Sequence, residues 1–315
     1  MGYKVLITED IGEEGVNYLR ERGYEIKVAS GRNEDMLVRE VEECEGIIAR
    51  TSYITKKVIA AAPGLKVIAR FGVGVDNIDV EEATRLGIQV TNCLGSNKNT
   101  VAEYTIGLIL ALAKNLFLYD SELRNGNFQI RKYLGFDLEN RVIGIIGAGN
   151  IGRLVAEKAI RGFGMKVILL NRSKLSVEIE GVEQTQDMDY LLRNSDFVSL
   201  HVPLTDNTIK LINEKKLSLM KSTAFLINTA RGEVVDNDAL VQALSENRIA
   251  GAAIDVFEGE IPSKDNPLFK LNNVILTPHT AALTEEAVKR MSFQSAQSID
   301  EVLSGKKPSW PVNLL

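Results

Sequence analysis

The feature that most constrains this chain is a glycine-rich turn, Gly147–Gly152, with glycine at its first, third and sixth positions. The unbroken apolar run Val142–Ile146 precedes this turn, and a helical stretch, 153–158, follows it. In such a strand–loop–helix unit the glycines permit a tight turn, close approach of the backbone to a pyrophosphate, and close packing of helix on strand. The N–H groups that open the helix then face the phosphates. The pattern predicts a dinucleotide-binding loop, with a plain glycine-rich turn as the alternative, and the predicted cofactor contacts are Gly147, Gly149, Asn150, Ile151 and Gly152.

Short β-branched runs alternate with longer helical stretches along the chain. This alternation predicts an α/β fold with parallel sheets and crossover helices on both faces. The runs form two series, one before about residue 95 and one after about residue 140, and 315 residues suit two domains. The predicted strands are Lys4–Ile7, Glu25–Val28, Gly46–Ala49, Lys66–Ala69, Gln89–Thr91, Val142–Ile146, Lys166–Leu170, Phe197–Leu200, Ala224–Asn228, Gly251–Ile254 and Val274–Leu276.

Two long helices are predicted from runs of helix-forming residues. The segment Thr100–Asn125 is rich in Leu, Ile and Ala and predicts one long, largely buried helix, and a second is expected at Thr284–Leu303. The longest apolar segment, Thr105–Ala113, is well short of a membrane span, so no membrane partner is expected.

Composition excludes several other classes of protein. The net charge is −5 and no dense basic block occurs, which argues against a nucleic-acid partner. The N-terminus lacks the features of a secretory signal, and we expect a cytoplasmic protein. The two cysteines, Cys44 and Cys93, are therefore expected to be small buried side chains, and no metal site is predicted.

The residues after the second strand of the nucleotide unit bear on the choice of cofactor. An acidic residue usually stands about twenty residues beyond the glycine loop and binds the ribose 2′-OH. Here Asn171, Arg172 and Ser173 occupy this place. Because Arg172 and Ser173 could bind a 2′-phosphate that a carboxylate would repel, NADP is favoured over NAD. The alternative is a solvated Arg172 and NAD bound without the usual carboxylate.

Three polar clusters follow strand-like runs in the last third of the chain. Arg231 follows Ala224–Asn228, Glu260 lies beyond Gly251–Ile254, and His279 follows Val274–Leu276. Ligand sites in open α/β sheets form at the carboxyl ends of the strands. We therefore expect these side chains to converge beside the cofactor.

Together these motifs resemble the D-isomer-specific 2-hydroxyacid dehydrogenases, and the resemblance covers nearly the whole chain. It implies two Rossmann-like domains: a doubly wound nucleotide domain, 98–287, inserted into a flavodoxin-like substrate domain, 1–97 and 288–315. It also implies a homodimer joined mainly through the nucleotide domains. The matching segments are Arg70–Asp79, Val101–Glu103, the glycine loop, His201–Thr205, the three polar clusters and Pro311–Asn313.

The resemblance assigns the catalytic roles residue by residue. Arg231 would hold the carboxylate and keto oxygen of the substrate, His279 would be the acid–base, and Glu260 would orient His279. The chemistry agrees, because reduction of a keto group needs a proton donor, histidine titrates near neutral pH, and a guanidinium fork suits a carboxylate. Taken alone, the arginine could be a surface ion pair, the glutamate a solvated loop acid and the histidine a strand-end residue satisfied by backbone.

The resemblance also implies cofactor and substrate contacts. The predicted substrate contacts are Arg50, Ser52, Val73, Gly74, Val75 and Arg231, with the glycines of the Gly72–Val75 segment exposing N–H groups to an anion. For that segment a plain turn is the alternative. The remaining predicted cofactor contacts are His201, Val202, Pro203, Thr229, Ala230, Asp255 and Ala281.

The substrate and one other class of function stay open. Arg50–Ser52 resembles phosphoglycerate dehydrogenases, whereas Asn171–Ser173 resembles glyoxylate and hydroxypyruvate reductases. We therefore rank 3-phosphoglycerate/phosphohydroxypyruvate and hydroxypyruvate/glyoxylate equally as substrates, with D-lactate behind them. The alternative class is a non-enzymatic, NAD(H)-sensing binding module of the C-terminal-binding-protein type. A formate-oxidising relative would carry glutamine in place of Glu260.

Overall fold

The computed structural model describes residues 2–171, 180–259 and 261–315. The chain divides into two compact units, unit 1 with residues 1–97 and 283–315, and unit 2 with residues 98–282. Both units are α/β layers built on parallel sheets, as the alternation of runs predicts.

Unit 1 contains a five-stranded parallel sheet in the order β2-β1-β3-β4-β5, the order typical of flavodoxin-like folds. Its strands are β1 (Lys4–Ile7), β2 (Glu25–Val28), β3 (Gly46–Ala49), β4 (Val67–Arg70) and β5 (Gln89–Thr91). Its helices are α1 (Glu13–Arg20), α2 (Glu34–Glu40), α3 (Lys56–Ala60), α4 (Val80–Arg85) and α11 (Glu285–Leu303).

Both ends of the chain complete unit 1. Helix α11 packs on α1 so closely that a Cβ at Gly15 would lie 2.4 Å from the backbone oxygen of Ser292. At the end of the chain, Val312 N donates to Val90 O at 2.8 Å. The Asn313 side chain accepts from Val90 N at 2.7 Å and donates to Ile88 O at 2.9 Å. The last residues are therefore bound to the edge strand β5.

Unit 2 contains a seven-stranded parallel sheet in the order β12-β11-β10-β9-β6-β7-β8. This is the doubly wound Rossmann order, which reverses between β6 and β9. The strands are β6 (Val142–Ile146), β7 (Lys166–Leu170), β8 (Val182–Thr185), β9 (Phe197–Leu200), β10 (Phe225–Asn228), β11 (Gly251–Ile254) and β12 (Val274–Leu276). The helices are α5 (Lys98–Ala113), α6 (Leu116–Arg124), α7 (Asn150–Phe163), α8 (Met188–Asn194), α9 (Glu214–Leu217) and α10 (Asn237–Ser245).

The central strands owe their position to sequences that are apolar apart from Ser199 of β9. Every residue of β3, β9 and β11 is buried, as expected for strands covered by helices on both faces. Short 3₁₀ helices at Phe128–Lys132, Gly232–Val234 and Pro267–Lys270 complete the connections.

The predicted helix Thr100–Asn125 is wrong in two respects. The segment is broken into α5 and α6, whose axes meet at 59°. Asn115, at the break, takes a left-handed conformation with φ of 53°, which no α-helix can contain. Ten residues of α5 are buried, whereas none of α6 is.

Most predicted strands match the structure within one residue, but β8 was not predicted. Its sequence, Val-Glu-Gln-Thr, contains no apolar run, because it is an edge strand whose residues are all partly or fully exposed.

Within the described ranges no single helix is long and apolar enough to span a membrane. Helices α5 and α6 together have the length and composition of a span, but they form a bent pair.

Candidate active site

The glycine loop lies at the carboxyl end of β6, where the strand order of unit 2 reverses. Gly147 has a φ of 110°, and a Cβ there would lie 2.3 Å from the backbone oxygen of His201. A Cβ at Gly152 would lie 2.0 Å from the oxygen of Gly147. A side chain is thus excluded at Gly147 by conformation and by close packing, and at Gly152 by close packing.

The middle of the loop is open where the ends are crowded. A Cβ at Gly149 would meet no atom within 4 Å. Gly149 also caps α7, a helix of 14 residues that begins at Asn150. The first N–H groups of a helix have no partner inside it, and they suit an anion. This open approach at a helix start fits the pyrophosphate of a dinucleotide.

Two further strand ends flank the loop, on β7 and β9. Asn171 follows β7, and its backbone N–H donates to Thr185 O at 3.2 Å. On the other side, Val202 lies close to the loop, since its Cγ1 would be 3.1 Å from a Cβ at Gly147. Pro203 O accepts from Thr208 Oγ1 at 2.7 Å. The structure therefore brings these predicted cofactor residues to one edge of the sheet.

His201 is held at this edge in its neutral form. Its Nε2 lies 2.9 Å from Ser199 Oγ. Burial lowers the pKa of His201 to about 4, so the ring is uncharged at neutral pH. A neutral imidazole agrees with a role in lining the site.

Arg231 lies in a loop that is held by the last residue of β10. The Asn228 side chain accepts from Ala230 N at 3.0 Å and donates to Arg231 O at 2.8 Å. Thr229 Oγ1 lies 3.2 Å from Thr105 Oγ1 of α5. This use of Asn228 was not predicted, although a polar residue that ends an apolar strand could have indicated it.

The loop after β10 also packs against the chain that follows β11. A Cβ at Gly232 would lie 2.2 Å from Phe257 C and 2.3 Å from Glu258 N. Glu260, two residues further on, lies outside the described residues, as do Arg172 and Ser173. The predicted roles of these three side chains stay predictions.

His279 lies in a loop organised by a buried carboxylate, Asp255. One oxygen of Asp255 accepts from Thr277 Oγ1 at 2.6 Å and Thr280 N at 2.9 Å, and the other accepts from Ala281 N at 2.9 Å. The backbone oxygen of Asp255 accepts from His279 N at 2.7 Å. Asp255 is fully buried, so these contacts are shielded from water.

The backbone at His279 is strained. Its φ of 53° is costly for a residue with a β-carbon, and strained backbone of this kind clusters at active sites. Tyr104, which was not predicted, supports the same loop through its hydroxyl, 3.0 Å from Thr280 Oγ1. Asp255 and Ala281 were predicted as cofactor contacts, which stays a prediction, and their observed contacts hold the histidine loop.

Unit 1 contains the other predicted substrate residues in two loops. Arg50 and Ser52 directly follow β3, where Arg50 is partly exposed and Ser52 is buried. Val73, Gly74 and Val75 follow β4, and their backbone N–H groups find no acceptor in the part of the chain that the structure describes. The Val73 carbonyl is fixed by Asn92 Nδ2 at 2.9 Å, and the Gly74 carbonyl by Arg70 Nε at 2.8 Å.

Comparison with known proteins identifies one family. The family profile described as "D-isomer specific 2-hydroxyacid dehydrogenase, NAD binding domain" matches residues 106–281. The D-3-phosphoglycerate dehydrogenase of Methanocaldococcus jannaschii is 41% identical over 314 residues, which are 99% of this chain and 59% of that protein. This chain thus spans less than two thirds of that relative.

Two shorter relatives are covered almost completely. The glyoxylate reductase of Thermococcus litoralis is 41% identical over 322 aligned residues, with 98% of this chain and 96% of that protein covered. The solved structure of the NADPH-dependent glyoxylate/hydroxypyruvate reductase of Sinorhizobium meliloti, in complex with NADP and malonate, is 28% identical. It superposes with a TM-score of 0.89 and covers 99% of this chain and 97% of its own.

Proposed function

Because the chain belongs to the D-isomer-specific 2-hydroxyacid dehydrogenases, a family of NAD(P)-dependent oxidoreductases, we propose that it exchanges a hydride between NAD(P)H and a small 2-keto or 2-hydroxy acid. The predicted family and enzyme class are confirmed by this membership. The observation that carries the proposal is the common position of Arg231, His279 and the glycine loop at the carboxyl edge of one sheet.

In the proposed reaction each side chain has a distinct role. The nicotinamide, when bound, supplies the hydride for reduction of the keto carbon or accepts it in oxidation. Arg231 pairs with the substrate carboxylate and polarises the keto oxygen, on which negative charge grows during reduction. His279 gives its proton to that oxygen, and Glu260 orients the imidazole. In the reverse direction His279 takes the proton from the hydroxyl group.

Replacing either residue tests this assignment. Arg231→Ala and His279→Ala should each lower kcat/KM for keto-acid reduction by about 10³-fold, because a charge-stabilising or proton-donating group is lost. Cofactor binding, measured by the fluorescence of the bound reduced nucleotide, should stay near that of the wild type. Arg161→Ala, which removes an exposed arginine of α7, is the control. Near-normal turnover in either site variant would reject the assignment.

The proposed cofactor is NADP, with NAD used less well. What supports it is the amide of Asn171 at the end of β7, where a carboxylate would repel a 2′-phosphate, together with Arg172 and Ser173 beside it in sequence. The solved relative from Sinorhizobium meliloti is named NADPH-dependent. The ratio of kcat/KM for NADPH to that for NADH should exceed one, and a strong preference for NADH contradicts this proposal.

Two substrate pairs remain candidates, and the relatives are named for both. Phosphohydroxypyruvate with 3-phosphoglycerate corresponds to the first relative, and glyoxylate with hydroxypyruvate to the other two. Turnover measured on glyoxylate, hydroxypyruvate and phosphohydroxypyruvate, each with NADH and NADPH, decides between them. Binding of nucleotide without turnover of any keto acid would favour a nucleotide-sensing binding module instead.

We further propose that the protein is a homodimer joined through unit 2. Large apolar side chains are exposed along 116–134. Clustered exposure of this kind typically marks a protein–protein interface. Sedimentation equilibrium should give twice the mass of one chain, and Phe117→Asp should shift the equilibrium towards the monomer. The exposed side chains are Leu116, Phe117, Leu123, Phe128, Tyr133 and Leu134.

A further inference from the structure

A nearly buried carboxylate, Glu9, lies just beyond β1 in unit 1 and has no part in the proposed chemistry. Glu9 is only 9% exposed. Burial costs a carboxylate its favourable hydration, so a buried one needs compensating contacts. β1 pairs with β3, so Glu9 lies beside the loop Arg50–Ser52 that follows β3. The contacts of Glu9 are made with this loop, with Thr8 and with Arg32.

Three consecutive N–H groups of the loop are bound by Thr8 and Glu9. Arg50 N donates to Thr8 Oγ1 at 3.1 Å. Thr51 N and Ser52 N donate to one oxygen of Glu9 at 2.9 and 3.1 Å. The Thr8 hydroxyl donates to the other oxygen of Glu9, and the Thr51 hydroxyl donates to the first. The Glu9 carboxylate and the Thr8 hydroxyl therefore together fix the three N–H groups of the loop.

The acceptor side of the loop is fixed as well. Asn77 Nδ2 donates to Arg50 O at 3.3 Å and to Ser52 O at 2.7 Å. With both sides bound, the peptide groups of Arg50–Ser52 cannot rotate without breaking several hydrogen bonds that are at least partly buried. A loop bound in this way is preorganised for whatever its side chains contact.

The charge of Glu9 is maintained despite burial. Burial by itself would raise the pKa of Glu9, but hydrogen bonds from Thr51 and Thr8 and the nearby Arg32 guanidinium hold that pKa below its ordinary value. Arg32 Nε lies 3.6 Å from the carboxylate and is largely exposed. The Glu9 carboxylate, which accepts hydrogen bonds from the loop, is thus ionised throughout the physiological pH range.

The side chain that this loop presents is Arg50. Its Nη1 donates to Asp10 O at 2.6 Å, and its Cζ lies 5.5 Å from the centre of the Phe71 ring. Within the described ranges Arg50 has no carboxylate partner. By contrast, the Ser52 hydroxyl is buried, so the loop presents its arginine and not its serine. The guanidinium is contacted by a backbone oxygen and an aromatic ring, and not by a carboxylate. It therefore keeps N–H donors available for an anion.

We propose that Glu9 is a positioning residue that acts through the Arg50–Ser52 loop to hold the Arg50 guanidinium for the phosphate of a phosphorylated 2-keto acid. The proposal rests on the proposed function and narrows its substrate class. Because the loop is already fixed, less entropy is lost when Arg50 binds an anion. Glu9 therefore matters only for substrates that carry a phosphate in addition to the carboxylate.

Two substrates that differ only in the phosphate provide the test. Glu9→Gln keeps the shape of the side chain, but its NH₂ group faces the Thr8 hydroxyl, which already accepts from Arg50 N. We expect KM for phosphohydroxypyruvate to rise about tenfold with little change in kcat, and both constants for hydroxypyruvate to stay within about twofold of wild type. Thr8→Val, which removes the same hydroxyl, should give the same split and serves if Glu9→Gln does not fold.

A double-mutant cycle shows whether Glu9 acts through Arg50. Arg50→Ala should raise KM for phosphohydroxypyruvate by more than Glu9→Gln does, and the double variant should equal Arg50→Ala alone. The matched control is Glu40→Gln, because Glu40 likewise accepts from a loop N–H group, that of Ser30 at 3.1 Å, but that loop carries no proposed ligand group. Its KM values should match the wild type.

Each result separates this inference from the proposed function. If the wild type reduces none of glyoxylate, hydroxypyruvate and phosphohydroxypyruvate, the proposed function itself fails. If it reduces glyoxylate or hydroxypyruvate but not phosphohydroxypyruvate, or if Arg50→Ala does not affect reduction of phosphohydroxypyruvate, the inference is overturned and the proposed function stands. Equal losses on both substrates in Glu9→Gln, or losses that add to those of Arg50→Ala, would mean that Glu9 is merely structural.

Discussion

The carboxyl edges of the two sheets use the same device for different side chains. In unit 2, Asp255 follows β11 and binds the loop after its neighbour β12, which carries His279. In unit 1, Glu9 lies beyond β1 and binds the loop after its neighbour β3, which carries Arg50. In both cases an acid just beyond the end of one strand supplies acceptors for the loop that follows the neighbouring strand.

The two loops differ in how tightly the functional residue itself is constrained. His279 has a left-handed backbone, and its own N–H is bound to Asp255 O at 2.7 Å. Among the residues of Arg50–Ser52, none has a positive φ. Proton transfer needs heavy atoms within hydrogen-bond reach, whereas a long guanidinium side chain reaches an anion from several positions. The stricter chemistry thus coincides with the more strained loop.

Of the two loops, the His279 loop of unit 2 should show the larger effect when the acid that binds it is replaced. Asp255→Asn replaces one acceptor oxygen by an NH₂ group that faces the N–H of Ala281 or Thr280. We expect kcat/KM to fall about 10²-fold for every keto acid, because His279 is displaced whatever the substrate.

The control for this variant is Asp265→Asn, an exposed position of the same unit, which should behave as wild type. Circular dichroism should show that Asp255→Asn is folded. A loss confined to phosphorylated substrates would mean that the two loops do not differ as described.

A smaller effect is expected when one hydroxyl is removed on each side. Thr277→Val removes a donor to Asp255, and Thr8→Val removes a donor to Glu9. We expect Thr277→Val to lower kcat by about tenfold and Thr8→Val to leave kcat nearly unchanged while it raises KM for phosphohydroxypyruvate. Equal effects of both variants on kcat would remove the distinction between a catalytic and a binding loop.

The smallest effect concerns stability and pH. Because the pKa of Glu9 is lower in the folded state, its ionisation stabilises the fold above the ordinary carboxylate pKa, and this contribution is lost as pH falls through the folded-state value. Urea unfolding should show Glu9→Gln less stable than wild type at pH 6, by about 1–2 kcal/mol, with the gap narrowing below about pH 4. A gap that is constant with pH would show that the charge of Glu9 does not contribute.

The sequence predicted those features that depend on local pattern. The glycine loop and the buried strands are recognisable because spacing and apolar runs lie within a few consecutive residues. The break at Asn115 was not predicted, since it lies within a helix-forming stretch and depends on one left-handed residue. The edge strand β8 was missed because a partly exposed strand needs no apolar run.

The loop-holding roles of Glu9 and Asp255 could not be predicted from spacing. Glu9 and the loop it binds are 42 residues apart at Thr51, and only the pairing of β1 with β3 makes them neighbours. Asn228 is different, because it binds a residue three positions along the chain. A search for polar residues at the end of an apolar strand, or within two positions beyond it, would have found all three positions, though not their partners.

The attachment of the chain end to unit 1 has a consequence for biosynthesis. The five strands of unit 1 leave the ribosome early, but α11 and the segment around Asn313, which cover α1 and the edge strand β5, are made only after the whole of unit 2. Unit 2 is one continuous stretch and can fold while synthesis continues. Until α11 has been made, unit 1 therefore exposes the apolar face that this helix covers in the folded protein. During translation it is this unit that most needs protection from aggregation.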